Sequence, residues 1–136
     1  MSAMGLEENK ALVREYWRLI NENQSASALD LCSDDFVFHF PGKPPFGGAQ
    51  NKQEAQVTFG AIFELFPEGL IITPGEMTAE ADRVAMEGES HAVHVSGKPY
   101  NNNYHFLFRI RDGEIVEIRE HADTQHTRDV LGEPPG

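Results

Sequence analysis

The 136-residue chain carries 22 acidic against 11 basic side chains, a net charge of −11. That balance argues against nucleic acid and anionic membrane as partners, since both need basic patches. The single cysteine, Cys32, excludes an intramolecular disulfide and a cysteine-based metal cage. No apolar run approaches the ~18 residues of a membrane helix, and the opening MSAMGLEENK has no basic region or apolar core of a secretory leader. The expectation is one domain over 1–136, with a core of about 7–131, in the cytoplasm.

In chain order, residues 6–23 are predicted helical, with Leu12, Val13, Tyr16, Trp17 and Ile20 on one side. Ser25 or Ser27 can cap a short second helix through Cys32. Phe36–Phe40, FVFHF, reads as a strand stopped by Pro41-Gly42, and PGKPPFGGAQ, from Pro41 to Gln50, reads as a loop. Asn51 with Glu54 suggests a capping box. It opens a third helix to about Phe66, burying Ala55, Phe59, Ile62, Phe63 and Phe66 and ended by Pro67.

Strands are predicted over 70–78, 83–95, 100–111 and 114–122. Asp112-Gly113 joins the last two, because that pair tolerates the positive φ angles of a two-residue hairpin turn. Asp123-Thr124 can cap a C-terminal helix to Leu131, and the tail GEPPG is expected to be loose. Helices followed by a meander predict an α+β fold. The aromatic faces of the first and third helices need one shared cover, an antiparallel curved sheet. Such a sheet leaves a concave, mostly apolar pocket with a few placed polar groups.

Strand phase then names candidate site residues. Tyr104, Phe106, Phe108 and Ile110 alternate onto one face, and Asn102 shares it. Val116 and Ile118 set an inward face on the last strand, and Glu120 continues it. Val93 sets the inward face of the long strand, and His91, Glu89 and Glu87 continue it. A carboxylate that extends an apolar face is a candidate, because burial raises its pKa unless it is paired. His39, His94 and His105 fall away from this face, as does His121. His121, Asp123 and His126 match no zinc spacing, so no metal is assigned. No Gly-x-Ser-x-Gly context, phosphate loop or dinucleotide fingerprint occurs, and no cofactor is assigned.

Four features together resemble one known family. They are the aromatic helix around Tyr16-Trp17, the SDDFVFHFPG strand and loop, the helix after it, and the hairpin ending RDGEIVEIREHADT. The chain resembles the SnoaL-like branch of the nuclear transport factor 2-like superfamily, from about Glu7 to Leu131. The resemblance implies a cone-shaped α+β barrel. Its members include steroid isomerases, polyketide cyclases, epoxide hydrolases, dehydratases and proteins without catalysis.

Carried over by residue, the resemblance puts Tyr16 where steroid isomerases have their oxyanion tyrosine. Phe40 and Phe106 stand where they have two aspartates. A phenylalanine neither takes up a proton nor donates a hydrogen bond, so ketosteroid isomerisation is not expected. Glu89, His91 and Glu120 fall at the limonene epoxide hydrolase positions, but Glu89 replaces the arginine. The SnoaL-type cyclases use an acidic residue with a nearby histidine, which His91 and Glu120 fit.

The implied catalytic pair is therefore His91 and Glu120. Tyr16, Trp17, Phe40, Phe59, Phe63, Glu89, Asn102, Tyr104, Phe106 and Ile118 are the implied substrate contacts. The expected function is cofactor-free acid–base catalysis on a hydrophobic small molecule, of the lyase or isomerase class. A non-catalytic binding protein and an epoxide hydrolase remain the alternatives. Superfamily members that the chain resembles commonly dimerise through the outer sheet face. Here His105, Leu107, Arg109, Glu117 and Arg119 mix an apolar residue with ion pairs on that face, which suits a homodimer.

Overall fold

A computed structural model describes residues 3–42 and 47–132. Residues 43–46 of the expected loop and 133–136 of the expected tail lie outside the described residues. Four helices and six strands follow in the order α1 (Ala3–Asn21), α2 (Ser25–Leu29), β1 (Cys32–Phe40), β2 (Gly48–Asn51), α3 (Lys52–Leu65), β3 (Ile71–Glu80), β4 (Arg83–His91), β5 (Asn103–Arg111), β6 (Glu114–Ala122) and α4 (Thr124–Leu131). No helix among the described residues is long and apolar enough to cross a membrane.

The strands form one sheet in the order β2-β1-β6-β5-β4-β3. Register shifts within the β1–β6, β3–β4 and β5–β6 pairs bend it, as bulges do. The expected all-antiparallel sheet needs correction, because β1 and β6 pair in parallel. Parallel neighbours need a long crossover, and everything from β2 to β5 supplies it. β2 itself lies in the stretch expected to be loop. It is an edge strand whose Gly-Ala-Gln-Asn sequence has no apolar alternation, so only its pairing with β1 reveals it.

α1 packs its apolar side on the concave face. Val13, Tyr16, Trp17 and Leu19 are buried there against Phe36, Phe38, Val84, Met86, Phe106, Phe108 and Ile118. Each such side chain contributes ~1.5–3 kcal/mol when fully buried. Just past the helix, Asn23 adopts a positive φ of 63°. Asn21 pins the helix end to β3, donating to the Ile72 carbonyl at 2.7 Å and accepting from the Ile72 N–H at 3.0 Å.

α3 opens on the expected capping box. The Asn51 side chain accepts from the Glu54 N–H at 2.8 Å, and the Glu54 carboxylate accepts from the Asn51 N–H at 2.9 Å. Its buried face is narrower than expected. Ala55 is buried and Phe59 and Ile62 are partly covered, but Phe63 is 41% exposed. Phe66 turns into a second cluster with Tyr100 and Val130. The β5–β6 turn is as expected, with positive φ at Asp112 and Gly113. β4 stops at His91, short of Val95; beyond it Val93 makes only an isolated bridge to Pro99.

Candidate functional site

Cross-strand register decides which side chains share the interior. On β5 and β6, Phe108 faces Ile118, Phe106 faces Glu120, and Tyr104 faces Ala122. Tyr104, Phe106, Phe108 and Ile118 are buried, so Glu120 is on the concave face as expected. A bulge between Arg109 and Ile110 puts Ile115 opposite Ile110 and buries it, leaving Val116 half-buried. Ile118, not Val116, carries the phase to Glu120.

On β4 the expected phase is wrong by one residue. Met86 faces Phe106 and Gly88 faces Tyr104, so Val84, Met86, Gly88 and Ser90 point inward and are buried. Glu87, Glu89 and His91 therefore lie on the outer face. The side chains of His91 and Glu89 are 57% and 66% exposed and lie 4.0 Å apart. His91 and Glu120 sit on opposite faces of the sheet, which removes the expected catalytic pair. Neither His91 nor Glu89 faces the interior.

The physical reason is local. Side chains alternate along a strand, so a one-residue slip flips them all. Val93 lies beyond the strand and does not report its phase. The alternation of Val84 and Met86 does. Gly88 adds to that signal, because a Cβ there would come within 3.3 Å of the Phe106 ring and 3.4 Å of Ile72.

Glu120 is half-buried, and desolvation pushes its carboxyl up to about 8. Among the described residues it makes no hydrogen bond or ion pair. Two tyrosines sense its charge. Burial raises the Tyr16 hydroxyl well above its ordinary range, with Cys32 and Glu120 adding to it. Burial raises Tyr104 as well, with Tyr100 and Glu120 adding and the nearby Ser90 hydroxyl opposing. Tyr16 Oη and Trp17 Nε1 are both buried without a hydrogen-bond partner among the described residues. Each such orphan costs about 1–3 kcal/mol, although both residues sit in the hydrophobic core cluster.

Aromatic rings surround these groups. Trp17 lies 4.7 Å from Phe106 and 5.1 Å from Tyr16, and Tyr104 stacks on Phe106 at 5.4 Å with planes 8° apart. Phe40 stacks on Phe38 at 4.2 Å and meets Phe59 at 6.3 Å. A depression of about 340 Å³ at the ends of β1 and β6 is lined by His39, Phe40, Pro41, Gly42, Arg119, Glu120, His121, Ala122 and Thr124. A second, of about 420 Å³, lies around Thr73, Glu87, Glu89 and His105 and has no contact with Glu120. Glu120 carries the distinctive environment, so the first matters more despite its smaller volume.

Asn102 is buried but fully engaged. Its Nδ2 donates to Tyr100 Oη, the Asp123 carbonyl and Thr127 Oγ1, and its Oδ1 accepts from the Asn103 and Asp123 N–H groups. It ties the start of β5 to the start of α4, where Asp123 caps the helix as expected. With every polar atom committed, it holds the wall rather than a ligand. Ser90 and Tyr100 were missed beside Tyr104. Among the described residues no group of three or more His, Cys, Asp or Glu converges as a metal site.

Chemically, a desolvated carboxyl can exchange a proton with a bound molecule, and a tyrosine hydroxyl on the same face can donate a hydrogen bond to its oxygen.

A family model described as a SnoaL-like domain matches residues 13–118. Three solved structures illustrate the shared fold. An NTF2-like protein of unknown function from Burkholderia pseudomallei is 20% identical with a TM-score of 0.84, over 98% of this chain and 100% of that one. Wild-type IdmH from Streptomyces antibioticus, described as a candidate polyketide cyclase, is 21% identical with a TM-score of 0.77, over 92% and 99%. TerC, co-crystallised with polyporic acid, is 16% identical with a TM-score of 0.83, over 93% and 99%. No curated protein matches. Identities this low speak for the fold alone.

Proposed function

The chain belongs to the SnoaL-like family, and from that premise we propose that it is a small enzyme moving a proton on a hydrophobic carbonyl compound. The reaction is of the polyketide cyclase, isomerase or dehydratase kind and needs no cofactor. Glu120 is its acid–base residue. The observation that carries this reading is the desolvated Glu120 carboxyl on the concave face, without a partner among the described residues, whose charge reaches Tyr16 and Tyr104.

Near neutrality most of Glu120 is protonated, and the ionised remainder is a stronger base than an ordinary carboxylate. It takes the proton from a carbon beside the substrate carbonyl. The C–H electron pair moves into the enolate, whose oxygen accepts hydrogen bonds from Tyr16 and Tyr104. Glu120 then returns that proton. Delivered to another carbon, it completes an isomerisation. Delivered to a departing hydroxyl, it completes a dehydration. Delivered to the alkoxide formed when the enolate carbon bonds to a second carbonyl, it completes a cyclisation. Proton transfer of this kind contributes ~10²–10⁴-fold. His91 takes no part.

The test is hydrogen–deuterium exchange beside the carbonyl of enolisable aryl ketones and 1,3-diketones, followed by NMR in D₂O. Wild type exchanges and Glu120→Gln does not. Equal exchange by both overturns Glu120 as the base. A receptor that binds without turnover is the second reading, favoured by the enclosed Tyr16 hydroxyl and Trp17 indole N–H. Binding without exchange by wild type selects it.

The outer sheet face is the proposed homodimer face. On it Glu117 accepts from His39 at 3.0 Å and from Arg119 at 3.3 Å, with Arg109 at 3.9 Å. A monomer by light scattering at micromolar concentration overturns the dimer.

A further inference from the structure

We propose that the carbonyl substrate is also an organic acid, its carboxylate held at the rim of the Glu120 opening by Arg119 and His121. The proposal rests on the reading of that opening as the substrate site, and it adds the substrate's charge.

The first argument is the shape of the opening. The pairing of β1 with β6 ends at His39 opposite Arg119. β6 runs on to Ala122, paired with β5 alone among the described residues. A notch therefore opens in the sheet where Arg119 gives way to Glu120. Successive residues of a strand point to opposite faces, so Arg119 and His121 flank the notch on the outer side and Glu120 on the concave side. All three line one depression. Neighbours on a strand are ~3.3 Å apart along it, so a ligand in the notch spans from Arg119 to Glu120 within a few bonds.

The second argument is charge. The chain as a whole carries −11, yet the ionisable side chains lining this depression are His39, Arg119, Glu120 and His121. At neutrality the Glu120 carboxyl keeps its proton, since desolvation lifts it to about 8. It then faces an anion as a hydrogen-bond donor and not as a second negative charge. The depression around Thr73 is the reverse. Glu87 and Glu89 line it with His105, and no lysine or arginine does. An anion is favoured at the first and repelled at the second.

The third argument is uncommitted donors. Arg119 Nε and Nη2 reach Glu117 at 3.4 and 3.3 Å, and Nη1 has no acceptor among the described residues. Glu117 itself does not line the opening. His39 is committed to Glu117 at 3.0 Å, whereas the exposed His121 makes no hydrogen bond among the described residues. A planar guanidinium with a free edge suits a carboxylate. Arg119 is half exposed, so solvent screens the pair and its contribution is modest.

The experiment is calorimetric titration of the full chain at neutrality with β-benzoylpropionate and with its methyl ester, one enolisable aryl ketone in charged and uncharged form. It is run at low and high salt with wild type, Arg119→Gln, Arg119→Lys and Glu120→Gln, alongside deuterium exchange beside the ketone. The expected result is the acid bound about tenfold tighter than the ester at low salt, with the gap closing at high salt. Arg119→Gln removes the preference and Arg119→Lys returns part of it, while both bind the ester as wild type does. Glu120→Gln loses exchange and keeps the preference, because its amide still donates. An ester bound as well as the acid overturns the proposal, as does a preference that survives in folded Arg119→Gln or ignores salt. The salt response of wild type decides the matter even if Arg119→Gln fails to fold. If both ketones exchange but bind alike, the proposal falls and the proposed function stands. If the acid is preferred and neither exchanges, the proposal stands and the enzyme reading falls. If neither probe binds, both fall.

Discussion

Glu117 and Glu120 lie on the same strand and experience opposite worlds. Glu117 is on the outer face. Partial burial alone would raise its carboxyl, but hydrogen bonds from His39 and Arg119 outweigh that and hold it below the ordinary range. Glu120 is on the concave face, where desolvation acts unopposed and lifts it to about 8. The residue type is the same and the strand is the same. What differs is the partner: His39 and Arg119 hold Glu117, while Glu120 has no such contact among the described residues. A carboxyl becomes chemically unusual here through what its neighbours do not offer.

The sharpest break in this comparison is catalytic. Glu120→Gln is expected to lower turnover of an enolisable substrate by ~10²–10⁴-fold, while His91→Ala, on the outer face, leaves kcat/KM unchanged. In wild type kcat/KM should rise with pH and level off above about 8, the value at which Glu120 ionises.

Stability sharpens the contrast next. The unfolded chain ionises Glu120 near its ordinary 4.5, while the folded chain keeps the proton to about 8. Between these values the unfolded state has released a proton that the native state retains. Stability therefore falls as pH rises through that window and levels off above it, a loss of roughly 2–5 kcal/mol. Glu120→Gln should flatten that slope in urea melts taken across the same range. A slope unchanged in the variant would show that Glu120 is not the group responsible.

Removing the Asn102 side chain tests the wall instead of the carboxyl. Asn102→Ala strips the link between β5 and α4 and should cost about 2–4 kcal/mol by denaturant titration. Gly88→Ala pushes a methyl group toward Phe106 and Ile72 on the inner face and should cost about 1–3 kcal/mol. Its outward neighbour Glu87→Ala should stay within about 0.5 kcal/mol. The smallest effect belongs to the outer face. His39→Ala breaks the contact with Glu117 and should cost under about 1 kcal/mol, less in high salt.

Much of the fold was legible because it is written in local chemistry. Asp112-Gly113, the Asn51–Glu54 box and the Asp123 cap each act within a few residues, so short-range rules reach them. Strands β5 and β6 carry their own apolar alternation, and the inward direction of Glu120 followed from Ile118. The phase of β4 is hidden by Val93, an apolar residue past the strand's end. Val84 and Met86 are the ones that pack on Phe106 and Phe108.

The chain by itself thus determined the α+β class, most element positions, the turn and cap geometry, and the inward set of β5 and β6. These depend on backbone preferences and on periodicity inside one segment. Only the tertiary structure decided the parallel β1–β6 pairing, the edge strand β2, the outward exile of His91, and the isolation of Glu120. Each of those depends on which distant segments lie alongside. Register across strands, and which described residues reach the Glu120 carboxyl, are properties of the assembled sheet and of no single stretch within it.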